Sequence, residues 1–349
     1  MGDLLTVSII VKTLNEETKI AMTIESALAA LERVGGEVIV ADSGSRDRTV
    51  EIASLYPVII AQIEPPALPS CGLGPQLGYQ YSRHPFLCLI DGDMLLDPDF
   101  LPAALTFMAE NPEHAGVTGH VEEMEITNLE FARRVNRNAR ENRTGSVDRM
   151  NGGGVYRREA IEKVGYLSDR NLHGYEEFDL GARLRSAGWL LHRLDQRYVQ
   201  HYGHTENSYR LLIRRWRSKY IFGLGEMLRA SLGRPYFRTL FRELPELRLW
   251  VGIYVFWIFC LALLIALPNK LLGLSLVAGL LALVVGLMSQ RKGGFSMGLY
   301  TVVAWFFNAA ALPVGFLRPR REPSAPIESR LRKAALPASV DTVSYQRQA

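Results

Sequence analysis

Phe86-Leu87-Cys88-Leu89-Ile90-Asp91-Gly92-Asp93-Met94 is the stretch on which the fold turns. Its first five residues are apolar without alternation, as in a strand covered on both faces of a parallel sheet. Two carboxylates follow at i and i+2, separated by the residue that lets a chain turn tightly. In open α/β sheets, ligands sit beyond the carboxyl ends of the strands, so Asp91 and Asp93 occupy a site position. Hard oxygen donors there suit Mg2+ or Mn2+, with the rest of the shell coming from water and a substrate diphosphate. A plain Asp-Gly turn is the alternative.

Upstream, the β-branched run Thr6 to Val11 predicts a first strand. A helix follows with Ile20, Ile24, Leu28, Leu31 and Val34 on one stripe, ended by Gly35-Gly36. Glu37 to Ala41 predicts a second strand, leading into Asp42-Ser43-Gly44-Ser45-Arg46-Asp47-Arg48-Thr49, with Ser45 as candidate N-cap of the next helix. Pro57 to Ile63 gives a third strand, and the loop Pro65 to Gly74 leads to a short helix before Phe86. This β-α-β-α-β order implies a parallel sheet with right-handed crossovers, an architecture that binds nucleotides. Asn15, Asp42, Asp91 and Asp93 collect just after strands, where side chains can hold base and ribose while a metal holds phosphates. Asp42 and Asp47 can also serve only as caps, and Asp47 is read that way.

Downstream, Asp97 to Ala109 predicts a helix and Ala115 to Met124 a strand. Asn128 to Arg143 carries Arg133, Arg134, Arg137, Arg140 and Arg143, either a solvated helix face or one lying on anionic headgroups. The run Gly152-Gly153-Gly154 permits close backbone approach to a ligand or a strained turn. His173 to Leu180 packs Glu176, Glu177 and Asp179 before a helix expected over Gly181 to Ala187. Clustered carboxylates raise one another's pKa and suit one of them to take a proton near neutrality. Asp179 is read as ordinary helix N-terminal charge. His201 and His204 are either ligands or structural. Ser208 to Leu244 mixes Leu212, Trp216, Ile221 and Leu224 with Arg and Lys, as an amphipathic interfacial helix would.

The chain has 349 residues and a net charge of +4, too small to point to nucleic acid. Cys71, Cys88 and Cys260 form neither a disulfide framework nor a CxxC spacing, which fits a reducing compartment. Met1 to Val11 lacks a basic n-region, so no signal peptide is expected. Leu249 to Leu267, Leu271 to Met288 and Phe295 to Leu317 are long uncharged runs. At ~1.5 Å per residue each is of the order needed for ~30 Å of hydrocarbon. Arg238, Arg242 and Arg248 before the first, and Arg291-Lys292 after the second, mark the cytoplasmic side of a hairpin. A full third crossing would put Arg318, Arg320 and Arg321 outside against that bias, and the segment contains Asn308 and Pro313, so crossing and re-entry both stand. The expected division is a catalytic domain over 1–205, interfacial helices over 206–248, membrane segments over 249–318 and a polar, disordered tail over 319–349.

In this order, VSIIVKTLNEE (7–17), DSGSRDRT (42–49), Asp91-Gly92-Asp93, Gly152-Gly153 and Glu176-Glu177 resemble the motifs of family 2 glycosyltransferases, over about residues 5 to 225. The resemblance implies an inverting enzyme with the GT-A fold, a nucleotide-sugar donor and Mg2+ or Mn2+. It implies that Thr13, Asn15 and Glu17 line the nucleoside pocket, Asp42 reads the base, and Asp93 with Asp91 holds metal and diphosphate. By the same resemblance Gly152 and Gly153 let sugar and acceptor approach, Glu177 is the base with Glu176 as second candidate, and His201 is the metal-side histidine. Polymerising members carry Gln-x-x-Arg-Trp. Arg215 and Trp216 match, as diphosphate and acceptor contacts, but Leu212 stands at the Gln position, which weighs against processive synthesis. Lys12 replaces a commonly seen Pro.

The expected function is transfer of a sugar to a hydroxyl of a lipid-linked saccharide at the cytoplasmic face of the inner membrane, in polysaccharide or glycolipid synthesis. Transfer to polyprenyl phosphate is one alternative, and a non-catalytic nucleotide-binding membrane scaffold another. A nucleotidyltransferase would carry a Gly-rich basic loop after the first strand, which Lys12 to Glu17 is not.

Overall fold

The computed structural model describes residues 5–124, 143–202 and 208–333. The Arg-rich stretch 128–142 and His204 lie outside them. Strand β1 (Val7–Thr13) is buried except at Lys12, and lies parallel to β2 (Gly36–Asp42) and β4 (Phe86–Asp91). β3 (Ile59–Ile63) extends the parallel set beyond β2. The crossovers are α1 (Ile20–Leu31), α2 (Thr49–Ala53) and α3 (Leu73–Tyr81). α1 turns Ile20, Ile24, Ala27 and Ala30 onto the sheet. Ser45 does not cap α2: the helix starts at Thr49, and Asp47 Oδ1 accepts the Thr49 N–H at 3.0 Å.

Beyond β4 the sheet is mixed. The order is β10-β3-β2-β1-β4-β8-β6-β9-β5, with β7 paired to β9. Here β5 is Met94–Leu96, β6 His114–Glu123, β7 Gly145–Ser146, β8 Gly154–Arg157, β9 Leu190–His201 and β10 Ser329–Lys333. β8 runs antiparallel to β4, which brings the glycine run beside the end of the Phe86 strand. At Gly153 (φ +92°), a Cβ would stand 2.1 Å from the Leu89 carbonyl oxygen. The glycine is required there by strand packing, independently of any ligand. α4 (Phe100–Glu110), α5 (Arg158–Val164) and α6 (Glu176–Ser186) complete this part. α6 begins five residues earlier than Gly181, because the acids themselves form its first turn.

The segment read as one interfacial helix is broken into α7 (Ser208–Arg217), a 3-10 turn (Tyr220–Phe222), α8 (Gly223–Ala230) and α9 (Phe237–Glu243). Lys219 at φ +68° makes the break. Among the described residues, three helices are long and apolar enough to cross a membrane: α10 (Pro245–Ala266), α11 (Lys270–Lys292) and α12 (Phe295–Leu317). They leave large side chains bare, with Ile265, Leu271 and Leu317 at least 70% exposed. That much exposed apolar surface requires a lipid or protein cover.

Both ends of this helical region rest on the same domain. Leu247, Trp250 and Ile253 of α10 share a buried cluster with Leu172, Phe178 and Met227. After α12, Arg318 Nε lies 3.0 Å from Glu226 Oε1, and Arg320 pairs with Asp169. α12 reaches α8 because both carry glycine at the contact. A Cβ on Gly225 would stand 2.0 Å from the Leu312 oxygen, and one on Gly315 2.2 Å from the Phe222 oxygen. Replacing Gly225 by Ala is therefore expected to cost about 1–3 kcal/mol or more through overpacking, read as a lower melting temperature in detergent.

The disordered-tail expectation needs correction for residues 319–333. β10 (Ser329–Lys333) pairs antiparallel with β3, and Arg170 binds Glu328 at 3.0 Å. The exposed edge of β3 supplied unpaired backbone groups for the strand to satisfy. Residues 334–349 lie outside the described part.

Candidate active site

The carboxyl ends of β1, β2 and β4 hold the polar residues together. Asp42 is fully buried. Its Oδ2 accepts from the Gly44 and Ser45 N–H groups, each at 3.0 Å, and from Gln62 Nε2 at 2.8 Å. Its Oδ1 is buried without a hydrogen bond among the described residues, as is Thr13 Oγ1. Buried polar atoms normally find partners, so these two fit a ligand that brings donors. Asn15 (φ +58°) and Glu17 knit the loop after β1 to the loop after β2. Asn15 N–H donates to Ser45 Oγ at 2.8 Å and Asn15 Oδ1 accepts from Arg46 N–H at 2.8 Å. Glu17 Oε2 accepts from Arg48 N–H at 3.0 Å. These two side chains build the pocket wall through the backbone of the second loop.

Next to this wall lies a cavity of about 820 Å³ lined by Lys12, Asp91, Gly152, Glu176, Glu177, His201 and Arg215. Its far wall comes from the helical region, at Leu224, Leu244, Trp250 and Asn308. Glu177 Oε1 accepts the Gly152 N–H at 2.8 Å, so the glycine run orients one acid. The left-handed Tyr175 (φ +67°) turns the chain into α6 just before the two glutamates. Burial pushes the Glu176 carboxyl up; Lys12 pulls it down, Glu177 adds to the rise, and the net direction is upward. Trp216 is packed edge-on against Phe222 and Phe307 and is not part of the cavity lining. The Arg215 guanidinium lies over the Tyr220 ring and lines the cavity.

Two residues that sequence reasoning missed shape this site. Lys12 Nζ lies 2.9 Å from Asp91 Oδ1 and 3.9 Å from Glu176 Oε1, a cation set between the strand-end acid and the helix acid. That accounts for a basic residue at position 12. Lys12→Met leaves both acids without it; with side chains 23% and 34% exposed the Lys12–Asp91 pair is worth less than a dry one. A loss of about 1–2 kcal/mol is expected, read in a melting curve. The second is Glu226, which accepts the His173 N–H at 2.9 Å and contacts its Nδ1 at 2.9 Å. It thereby ties the loop before Glu176 to Arg318 at the end of α12. Its signal was being the only acid between Ser208 and Arg242.

Asp93 is buried, with Oδ2 3.4 Å from His201 Nε2. Glu123 Oε2 holds the other imidazole nitrogen at 2.6 Å. Burial alone would lower the imidazole; the hydrogen bonds to Asp93 and Glu123 outweigh it and raise it to about 9. An imidazole raised that far carries both ring protons near neutrality, so a cation would have to displace the Nε2 proton; Asp93 and the nitrogen so freed, with Glu123 orienting the ring, are then the donor chemistry of a divalent-cation site. No cluster of three or more such ligands occurs among the described residues. The pair therefore fits a cation that draws the rest of its shell from substrate and water.

Residues 8–165 match the family model described as glycosyl transferase family 2. They form a family 2 glycosyltransferase domain. The matched stretch contains Asp42, Asp91 and Asp93 but ends before Glu176, Glu177, His201 and Arg215, which geometry alone brings to the site. The low-salt glycan biosynthesis hexosyltransferase Agl6 of Haloferax volcanii is 40% identical over 109 residues, 30% of this chain. The match spans only 24% of that relative's length. Among solved structures, the mannosyltransferase PcManGT from Pyrobaculum calidifontis, in complex with GDP-Man and Mn2+, superposes with a TM-score of 0.56 at 17% identity, covering 88% of this chain and 89% of that one. The glucosyl-3-phosphoglycerate synthase of Mycobacterium tuberculosis gives 0.47 at 20% identity, covering 63% and 77%. The chain thus has a GT-A-like fold, followed by three apolar helices able to span a membrane among the described residues.

Proposed function

We propose that the protein is a membrane-bound, inverting glycosyltransferase that moves a sugar from a nucleoside diphosphate to a hydroxyl of a lipid-linked saccharide. One observation carries this reading: a single cavity is walled by the strand-end acid Asp91 and the helix acids Glu176 and Glu177 on one side and by Trp250 and Asn308 of membrane-length helices on the other. A soluble donor has access to the first wall and an acceptor anchored in lipid to the second. Asp42 and Thr13 bind the nucleoside, with Asn15 and Glu17 fixing the wall around it. Asp93 and His201 hold Mg2+ or Mn2+, while Asp91 serves the ribose or diphosphate from its ion pair with Lys12. When bound, the cation neutralises charge on the departing diphosphate. Arg215 adds a fixed positive charge on the same wall. Glu177 takes the acceptor proton, and a single in-line displacement inverts the anomeric centre.

The reading also sets the topology. Leu247 and Arg318 both rest on the glycosyltransferase domain, so an even number of crossings is proposed, with Arg318, Arg320 and Arg321 on the domain's cytoplasmic side. The test is metal-dependent hydrolysis or transfer from a panel of nucleotide sugars, with and without membrane lipid extract as acceptor. Turnover of one donor stimulated by the lipid fraction is expected. Turnover with only water-soluble acceptors overturns the lipid-linked assignment, and no turnover with any donor favours a scaffold. If the acceptor is polyprenyl phosphate, its charged nucleophile needs little help from a base, and activity survives loss of either glutamate.

A further inference from the structure

A second recess lies away from the glycosyltransferase cavity, where α12 ends. It measures about 450 Å³ and is lined by Arg229, Arg234, Arg320, Arg321, Glu322 and the Leu232-Gly233 turn, with Tyr166 beside them. The arginines are not equivalent. Arg320 pairs with Asp169 and Arg321 with Glu328 at 2.8 Å. Arg229 donates to the Phe316 carbonyl at 3.1 Å and lies over the Phe316 ring. Neither Arg229 nor Arg234 has a carboxylate partner among the described residues. Glu322, the acid in the lining, offsets one of these two charges, and a net positive charge is left over in a concave site.

The depth of the recess identifies the source of the opposing charge. Arg229 touches the last turn of a membrane-length helix. Leu317 is 73% exposed on that turn and Leu232 is 50% exposed on the turn bearing Arg234. Exposed apolar side chains flanking arginines are the pattern of a surface seated at the headgroup layer, with guanidinium groups reaching phosphate. Guanidinium pairs bind phosphate oxygens through two parallel hydrogen bonds. We infer that this recess binds a phosphate group presented by an anionic lipid headgroup, separately from the donor site.

The test uses the full chain in nanodiscs of phosphatidylcholine with or without phosphatidylglycerol, with retained lipid read by native mass spectrometry. Wild type is expected to retain phosphatidylglycerol in preference to phosphatidylcholine. Arg234→Gln should weaken retention about fivefold and Arg229→Gln with Arg234→Gln about twenty-five-fold, whereas Arg234→Lys keeps most of it. Nucleotide hydrolysis unchanged from wild type shows that the variants are folded and separates this result from the catalytic assignment. Arg234→Gln alone serves if the double variant fails to fold. Equal retention by wild type and both Gln variants overturns the site. Displacement of the lipid by inorganic phosphate at a similar concentration overturns the lipid source in favour of a soluble phosphate.

Discussion

Glu177→Gln is expected to lower kcat by about 10²–10⁴-fold while leaving donor affinity unchanged. The substitution isolates basicity from shape. The Glu177 carboxylate accepts the Gly152 N–H at 2.8 Å, and a glutamine carbonyl oxygen can accept the same bond. The glycine run and the first turn of α6 therefore keep their places, and a proton acceptor is the property lost. Glu176→Gln is the companion variant. Its carboxyl lies 3.9 Å from Lys12 and is pushed up by burial, so it has a different environment although it is adjacent in sequence. Rate constants with saturating donor, together with calorimetric titration of the nucleoside diphosphate, check both variants. Loss in Glu177→Gln and modest loss in Glu176→Gln support the assigned roles, and the reverse exchanges them. Near-wild-type rates in both point to an acceptor that brings its own charge.

How much of this was legible from the sequence differs by region for physical reasons. β1, β2 and β4 were readable because a strand buried on both faces needs a largely apolar run, and its end is marked by the first polar residues after that run: Lys12, Asp42 and Asp91. Asp93 and His201 were named separately, but their meeting depends on β5 pairing with β9, with Met94 opposite His201. No local pattern encodes that register. Lys12 had no explanation until Asp91 and Glu176 were seen on either side of it. β10 escaped because Ser329-Arg330-Leu331-Arg332-Lys333 is polar and lies on an edge, where backbone pairing with β3 rather than side-chain burial holds it. Trp216 is a different case. The motif implied an acceptor contact, but the ring packs between the 3-10 turn and α12. A large apolar ring beside another helix gains more from burial than from facing an open cavity.

Asp93→Asn is expected to abolish the benefit of divalent cation for donor binding. The residue is buried and its carboxylate faces His201 at 3.4 Å, with Glu123 fixing the ring from the other side. Asparagine keeps the volume but removes the charge that would hold a hard cation. The remaining histidine is a poor site for Mg2+, which favours oxygen ligands and is usually bound through only one or two carboxylates. Even outer-shell partners of bound metals contribute roughly 10–100-fold to affinity, so loss of a direct carboxylate is expected to weaken cation-dependent binding by at least about a hundredfold. The readout is calorimetric titration of a nucleoside diphosphate with MnCl2 and then with EDTA. Wild type should bind more tightly with the cation, and Asp93→Asn should bind equally with either. Binding in EDTA should match between the two proteins, because the proposed nucleoside contacts, Asp42 and Thr13, are unchanged. A variant that still gains fully from Mn2+ would move the cation site to Asp91, and with it the role of the Lys12 ion pair.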